Sequence, residues 1–143
     1  MITSSKSVGR WVEKKLFASF HPEAQAIGLE RRGEMVAGVV YENWNGASFV
    51  CHIVVEGLMT PSYLAAIFHY PFIHCGARLI IAPVAESNED SIRFVKKLGF
   101  REAARLPEAH PDGSLLLFTM TAEQCRFIGE RFGKKLASTA ARA

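Results

Sequence analysis

The first apolar positions of the chain repeat at the spacing of a helix. They are Val8, Trp11, Val12, Leu16 and Phe20. Side chains three or four residues apart share one face of a helix, so this pattern predicts an amphipathic helix over residues 8–20. We expect it to end at His21-Pro22, because a proline disfavours the helical conformation in the residue before it.

Three strand-like segments follow this helix. Residues 24–31 and 35–42 flank the letters R-R-G-E, which predict a hairpin turn. The letters N-W-N-G at 43–46 predict a second turn, because Asn-Gly readily adopts the positive φ angles of tight hairpins. Residues 48–56 are apolar on both faces with few exceptions, which is typical of a strand in the centre of a sheet.

Helix signals alternate with strands in the second half of the chain. Thr60-Pro61 predicts a helix start, with the hydroxyl as cap and the proline in the first turn, and Pro71 predicts its kink or end. Residues 77–84 predict a short buried strand. Asn88 and Gly99 then bracket a second helix as its two caps.

The remaining elements complete an alternating order. T-x-x-Q at 121–124 predicts the capping box of a last helix. The predicted pieces are a strand at 100–106, a strand at 115–121, a helix from 121 to about 136 and a loose tail at 138–143. The strand–helix–strand unit in the middle implies a parallel pair, so the fold class is α/β or α+β with a mixed sheet. We expect one domain over residues 1–143.

Composition narrows the classes of protein. Apolar residues make up 49% and charged residues 22% of 143 positions, which is typical of a single globular domain. No apolar run approaches the roughly 20 residues of a membrane span. The net charge of +3 resides in the ends, since residues 1–15 and 122–143 each carry +3 and the middle carries −3. A basic face for nucleic acid is therefore not expected.

The cysteines and the first residues bear on location. Cys51, Cys75 and Cys125 are far apart and lack the spacing of a metal site, which favours buried thiols in a reducing compartment. The start of the chain lacks an apolar core of signal-peptide length. We expect a cytoplasmic protein without a resident metal.

One stretch resembles the GNAT superfamily of N-acetyltransferases. In N-E-D-S-I-R-F-V-K-K-L-G-F, residues 88–100, the Asn, the small residue three positions on and the final L-G-F fall in the register of the family's pattern. The letters after residue 100 resemble the branch of ribosomal-protein-type acetyltransferases. F-H-Y-P-F-I-H-C-G at 68–76 and E-Q-C-R at 123–126 are similar to small phage-encoded members. The resemblance covers roughly residues 24–128.

The resemblance implies acetyl-CoA as co-substrate and an amine of a small molecule or a protein as acceptor. In this family acetyl-CoA occupies a V-shaped gap where two central parallel strands splay, here residues 48–56 and 77–84. Pantetheine pairs with the open strand edge, and the pyrophosphate meets the start of the following helix. The cofactor-binding residues implied in this way are Val54, Val55, Gly57, Ser62, Tyr63, Asn88 and Ser91.

Two side chains of the first central strand are candidate bases. His52 suits proton transfer near neutral pH, and Glu56 at the strand end is its rival. The alternatives are a core histidine and a solvated strand end. The family's usual acid, a Tyr seven residues after the Asn, is Val95 here, and Gly57 is the one glycine of the pyrophosphate loop. These departures keep a second hypothesis open, a non-catalytic acyl-CoA-binding or interaction module.

Overall fold

The computed structural model describes residues 1–129, which form seven strands and three α-helices. The elements are β1 (Ile2–Thr3), α1 (Lys6–Leu16), β2 (Gln25–Arg31), β3 (Glu34–Glu42), β4 (Ser48–Val55), α2 (Pro61–His69), β5 (Leu79–Ala85), α3 (Glu89–Leu98), β6 (Arg101–His110) and β7 (Gly113–Thr121). A π-helical turn, Tyr70–His74, continues α2 through Pro71. The predicted tail at 138–143 and the predicted helix beyond residue 129 lie outside the described residues.

The strands form one sheet in the order β1-β2-β3-β4-β5-β7-β6. β4 and β5 pair in parallel, and all other neighbours pair antiparallel. Because β4 is the fourth of seven strands, its predicted central position is confirmed. The mixed α/β class with a central parallel pair is confirmed as well.

The two faces of the sheet carry different helices. α1 covers one face, where Val8 and Val12 pack against Ala26 and Val40. α2 and α3 cover the opposite face and share a larger core there. Its fully buried members include Tyr63, Phe68, Ile80, Phe118 and Met120. No helix within residues 1–129 combines the length and the apolar character that a membrane crossing requires.

Two glycines let α1 lie close to the sheet. Gly28 of β2 and Gly38 of β3 are directly opposite each other in the ladder. A Cβ atom on Gly38 would lie 2.7 Å from Cγ2 of Val12, and one on Gly28 would lie 2.8 Å from Cγ2 of Val8. The valines of α1 therefore fill the space that side chains would take on the two strands.

The predicted end of the first helix is wrong. α1 ends at Leu16, and Phe17 has the left-handed φ of 53° rather than a helical one. The chain then folds back, since the Glu13 carboxylate accepts a hydrogen bond from the Phe20 amide over 3.0 Å. Phe20 fits the helical spacing of apolar residues but lies in the loop after α1. Its apolar character serves packing there, since its ring centre lies 4.6 Å from that of His52.

Two further boundaries differ from the prediction. β6 continues to His110, and its turn to β7 is confined to Pro111-Asp112, because the pairing resumes at His110 and Gly113 after an irregularity. The capping box forms, with Gln124 N–H donating to Thr121 Oγ1 over 3.2 Å and Thr121 N–H donating to Gln124 Oε1 over 3.0 Å. Residues 122–129 nevertheless form turns and bends instead of a helix. Cys125 and Phe127 are both buried although they are two positions apart, a spacing that one face of a helix does not provide.

A substitution at Gly38 tests the close seat of α1. Gly38→Ala should lower the free energy of unfolding by about 1–3 kcal/mol, since its Cβ overpacks against Val12. Gly9→Ala is the matched control, because Gly9 lies in α1 with nothing within 4 Å of its Cβ position. It should raise that free energy by up to about 1 kcal/mol through helix propensity. Urea unfolding measures the free energy of unfolding of both variants. Equal changes in the two variants would contradict the close packing of α1 on Gly38.

Candidate active site

The parallel pairing of β4 and β5 stops soon after it begins. It comprises three residue pairs, Ser48 with Leu79, Phe49 with Ile80 and Val50 with Ile81. Beyond them β4 stays paired with β3 as far as Val55, and β5 stays paired with β7 as far as Ala85. Each strand thus follows its antiparallel partner, and a gap opens between their carboxyl-terminal halves.

Backbone groups of β4 face this gap. Glu56 N–H donates to Val36 of β3 over 2.7 Å. Because successive residues of a strand direct their backbone groups to opposite edges, Val54 also faces β3, whereas Ile53 and Val55 face β5 across the gap. The amides and carbonyls of Ile53 and Val55 are therefore outside the sheet's ladder.

Pro83 lies on the other side of the gap. Leu79 N–H donates to Ala47 before β4 over 3.3 Å, so the nitrogens of Ile81 and Pro83 face β4 by the same alternation. Proline has no N–H and normally disrupts a central strand. Here the missing N–H would point toward β4, where β4 and β5 are no longer paired, so the pairing of β5 with β7 is unaffected.

A cavity of about 370 Å³ lies on the β4 side of the gap, and none of its lining residues belongs to β5. The last turn of α1, the end of β4 with the residue after it, and the first two turns of α3 contribute to it. Its lining residues are Lys15, Leu16, Ile53, Val54, Val55, Glu56, Asn88, Asp90, Ser91 and Phe94. Five residues predicted from the sequence therefore meet in one place: Val54, Val55, Glu56, Asn88 and Ser91.

The α3 side of the cavity is built by a helix cap. Asn88 Oδ1 accepts a hydrogen bond from Ser91 N–H over 3.2 Å. Glu89 and Asp90 follow in the first turn, where carboxylates are favoured by the helix dipole. The cap fixes where α3 starts and so holds the Ser91 side chain against the gap.

Glu56 and Lys15 form an ion pair at this cavity. Lys15 Nζ lies 2.8 Å from Glu56 Oε2, with the two side chains 40% and 46% exposed. The Lys15 ammonium also lies 5.6 Å from the centre of the Trp11 ring. The last turn of α1 is thereby tied to the end of β4.

His52 lies on the α1 face of β4 and is not part of the cavity lining. Its Nε2 is 2.9 Å from Glu42 Oε2, and Phe20 covers its ring. Burial lowers the pKa of His52 below its usual value, and the hydrogen bond and charge of Glu42 offset this only in part. At neutral pH the imidazole is therefore neutral, so Nε2–H donates to Glu42 and the Nδ1 lone pair is left unprotonated.

Three predicted cofactor contacts lie away from the gap cavity. Tyr63 is buried, its hydroxyl donates to the Ile27 carbonyl over 2.8 Å, and its amide donates to Thr60 Oγ1 over 3.1 Å. Ser62 lines a different cavity of about 440 Å³ on the outer side of α2. Gly57 follows β4 with Val36 beneath it. Both polar donors of Tyr63 are thus already used within the fold.

The sequence analysis missed five lining residues, two in α1, one in β4 and two in α3. Lys15, Leu16, Ile53, Asp90 and Phe94 all line the cavity. The amphipathic pattern of α1 could have indicated part of this set, because Leu16 is on the apolar face of the helix and is expected to pack on the sheet. Val95 is buried in the core, and no tyrosine is among the cavity-lining residues.

Comparison with known proteins identifies the fold. No family model matches the sequence, and the comparison with curated proteins found no match. Solved structures do match, among them mutant forms of the spermidine/spermine N-acetyltransferase SpeG from Vibrio cholerae. That chain is 12% identical with a TM-score of 0.69, and the match covers 86% of this chain and 95% of that one.

Two other matching structures come from different organisms. Ard1 from Thermoplasma volcanium is 16% identical with a TM-score of 0.63, covering 85% of this chain and 96% of that one. The yncA protein of Salmonella typhimurium, solved with its cofactor acetyl-CoA, is 13% identical with a TM-score of 0.64, covering 91% and 94%. The chain described here therefore has the GNAT acyltransferase fold.

The buried histidine generates a prediction about pH. The pKa of His52 is lowered in the folded chain, so the unfolded chain binds more protons just below pH 6.5. The free energy of unfolding should therefore fall as the pH drops from about 6.5 through the folded pKa of His52. His52→Gln removes this titration, so the variant should show a shallower loss in that window.

Urea unfolding of both proteins between pH 5 and 8 measures the effect. Above about pH 7.5 the histidine is neutral in the folded and the unfolded chain, so the difference between the two proteins should become constant there. Parallel curves across the whole range would contradict the lowered pKa of His52.

Proposed function

We propose that this chain is an N-acetyltransferase that moves acetyl from acetyl-CoA to a primary amine by direct attack. The observation that carries the proposal is the early end of the β4–β5 pairing. It leaves a cavity edged by the free backbone groups of Ile53 and Val55. An extended polar chain such as pantetheine can hydrogen-bond to such an edge as an added strand would.

The proposed cofactor site spans the gap from β4 to α3. Val54 and Val55 form its strand side, and Asn88 and Ser91 form its helix side. In this assignment the backbone of Val55 pairs with pantetheine, while Val54 contributes its side chain because its backbone is engaged with β3. Polarisation of the thioester carbonyl by a backbone N–H of this edge would stabilise the negative charge that develops on the oxygen.

Of the two candidate bases, we favour Glu56. Its carboxylate is part of the cavity lining and already contacts a primary ammonium, that of Lys15. His52 stays the alternative, since its neutral imidazole has an available Nδ1 but lies on the α1 face outside the lining. An amine must lose a proton before it attacks, so either group would act on the acceptor or through one water.

The acceptor is proposed to be a primary amine, of a small molecule or of a protein. The two carboxylates of the cavity lining, Glu56 and Asp90, already bind the cations Lys15 and Arg93, and an incoming ammonium has the same charge. The named activity of SpeG, acetylation of spermidine and spermine, supports an amine acceptor for this fold. The likeness to the ribosomal-protein-type branch and to phage-encoded members stays a prediction.

A non-catalytic acyl-CoA-binding module is the second candidate. The start of α2 offers few donors to a pyrophosphate, because Pro61 has no N–H and the Tyr63 and Leu64 amides donate to Thr60. Val95 is buried where the family's tyrosine acid would stand. Both features favour binding without efficient turnover, and the measurements below separate the two candidates.

Calorimetry with acetyl-CoA tests the proposed cofactor site. The wild-type chain should bind, and Ser91→Phe should weaken binding at least about tenfold, because the ring fills the helix side of the gap. Lys97→Phe is the control, since Lys97 is exposed on α3 and absent from the cavity lining. Equal affinities of the two variants would contradict the assignment of the gap as the cofactor site.

Paired substitutions test the assignment of the base. Glu56→Gln should lower kcat with spermidine or a lysine peptide by about 10²-fold or more and leave acetyl-CoA affinity unchanged. His52→Gln should keep most of the rate. The opposite outcome would move the role to His52. Acetyl-CoA binding without turnover of either acceptor by the wild-type chain would favour the non-catalytic module.

A further inference from the structure

The chain places one of its own amines inside the proposed reaction site. Lys15 lies in the last turn of α1, and its side chain lines the gap cavity together with Leu16. Nζ of Lys15 is 2.8 Å from Oε2 of Glu56, the carboxylate proposed to take a proton from the acceptor. A lysine side chain is a primary alkylamine, which is the chemical class of acceptor proposed for this site.

The position of Lys15 is held from two sides. Glu56 contacts the ammonium, and the Trp11 ring lies 5.6 Å from it. Of the five lysines in residues 1–129, only Lys15 has a carboxylate within ion-pair distance. The others in that part are Lys6, Lys14, Lys96 and Lys97. Neighbouring Lys14 thus has nearly the same sequence context but no carboxylate partner.

We propose that the chain acetylates its own Lys15 when acetyl-CoA occupies the gap. This inference rests on the proposed function, because it needs the thioester beside Glu56. Holding the amine and the base together before the thioester arrives converts attack into a step within one complex, which is much faster than attack from solution. The acetylated lysine is then a modification that the protein applies to itself.

The reaction balances without any further reactant. The Lys15 ammonium gives one proton to Glu56, and its Nζ lone pair attacks the thioester carbonyl. The C–N bond forms, the C–S bond breaks, and the CoA thiolate leaves and takes up the proton from Glu56. The second proton of the former ammonium passes to water, so the products are N-acetyl-Lys15, free CoA and one proton.

The modification limits itself to one acetyl group per chain. An amide nitrogen carries no positive charge, so N-acetyl-Lys15 loses its ion pair with Glu56. The Glu56 carboxylate then has no ammonium beside it and is available to an amine from outside. The last turn of α1 loses its tie to β4 in the same event.

Mass spectrometry of peptides after incubation with acetyl-CoA tests the proposal. The purified full chain is first treated with a deacetylase to remove acetyl groups acquired during expression. It is then incubated with acetyl-CoA and no other acceptor, and samples are taken over time. Acetylation at Lys15 should exceed that at Lys14 by about tenfold or more in initial rate. Glu56→Gln should remove this excess, and Lys14→Arg should leave the initial rate at Lys15 unchanged.

The outcomes separate this inference from the proposed function. Selective acetylation of Lys15 that depends on Glu56 and is slowed by excess free CoA supports the proposal. Equal rates at Lys6, Lys14 and Lys15 would show chemical acetylation at the surface and overturn it. Calorimetric binding of acetyl-CoA with no acetylation of Lys15 would overturn this inference alone, whereas absence of binding would overturn the proposed function as well.

Discussion

The structure depends on the competition for hydrogen bonds among four neighbouring strands. β4 and β5 each have one antiparallel partner along their length, and they share only three residue pairs with each other. Because a twisted sheet rotates each strand relative to the next, the two antiparallel ladders draw β4 and β5 apart once the parallel ladder stops. The cavity, the free backbone edge and the seat of α3 all follow from that divergence.

The second determinant is the depth at which α1 lies on the sheet. Gly28 and Gly38 remove side chains from the centre of the β2–β3 hairpin, so Val8 and Val12 approach the backbone closely. The helix axis then runs low enough for its last turn to meet the end of β4. A helix resting on larger side chains would carry Lys15 away from Glu56, so the packing of Val8 and Val12 on the sheet sets the distance of this ion pair.

Sequence patterns predicted the elements of this fold better than their ends. Apolar residues on both faces of β4 predict its central position, and Thr60 and Asn88 are predicted as helix caps. The structure confirms all three. The end of α1 was missed because Phe20 keeps the helical period by packing on His52 from a loop. For the site, residues adjacent in one strand or one helix turn were found together. Lys15 was not, because its neighbour Glu56 lies 41 positions away and is brought near only by tertiary packing.

Pro83 limits how far the central sheet can close in a way that another residue would not. If the divergent halves of β4 and β5 moved together, Pro83 could not donate a hydrogen bond to the new ladder. Extending the parallel pairing would therefore add little stability to the sheet. Pro83 thus acts together with the twist of the two antiparallel ladders to keep the divergent halves of β4 and β5 unpaired. A polar chain that pairs with β4 there, as proposed for pantetheine, would have no β4–β5 ladder to displace.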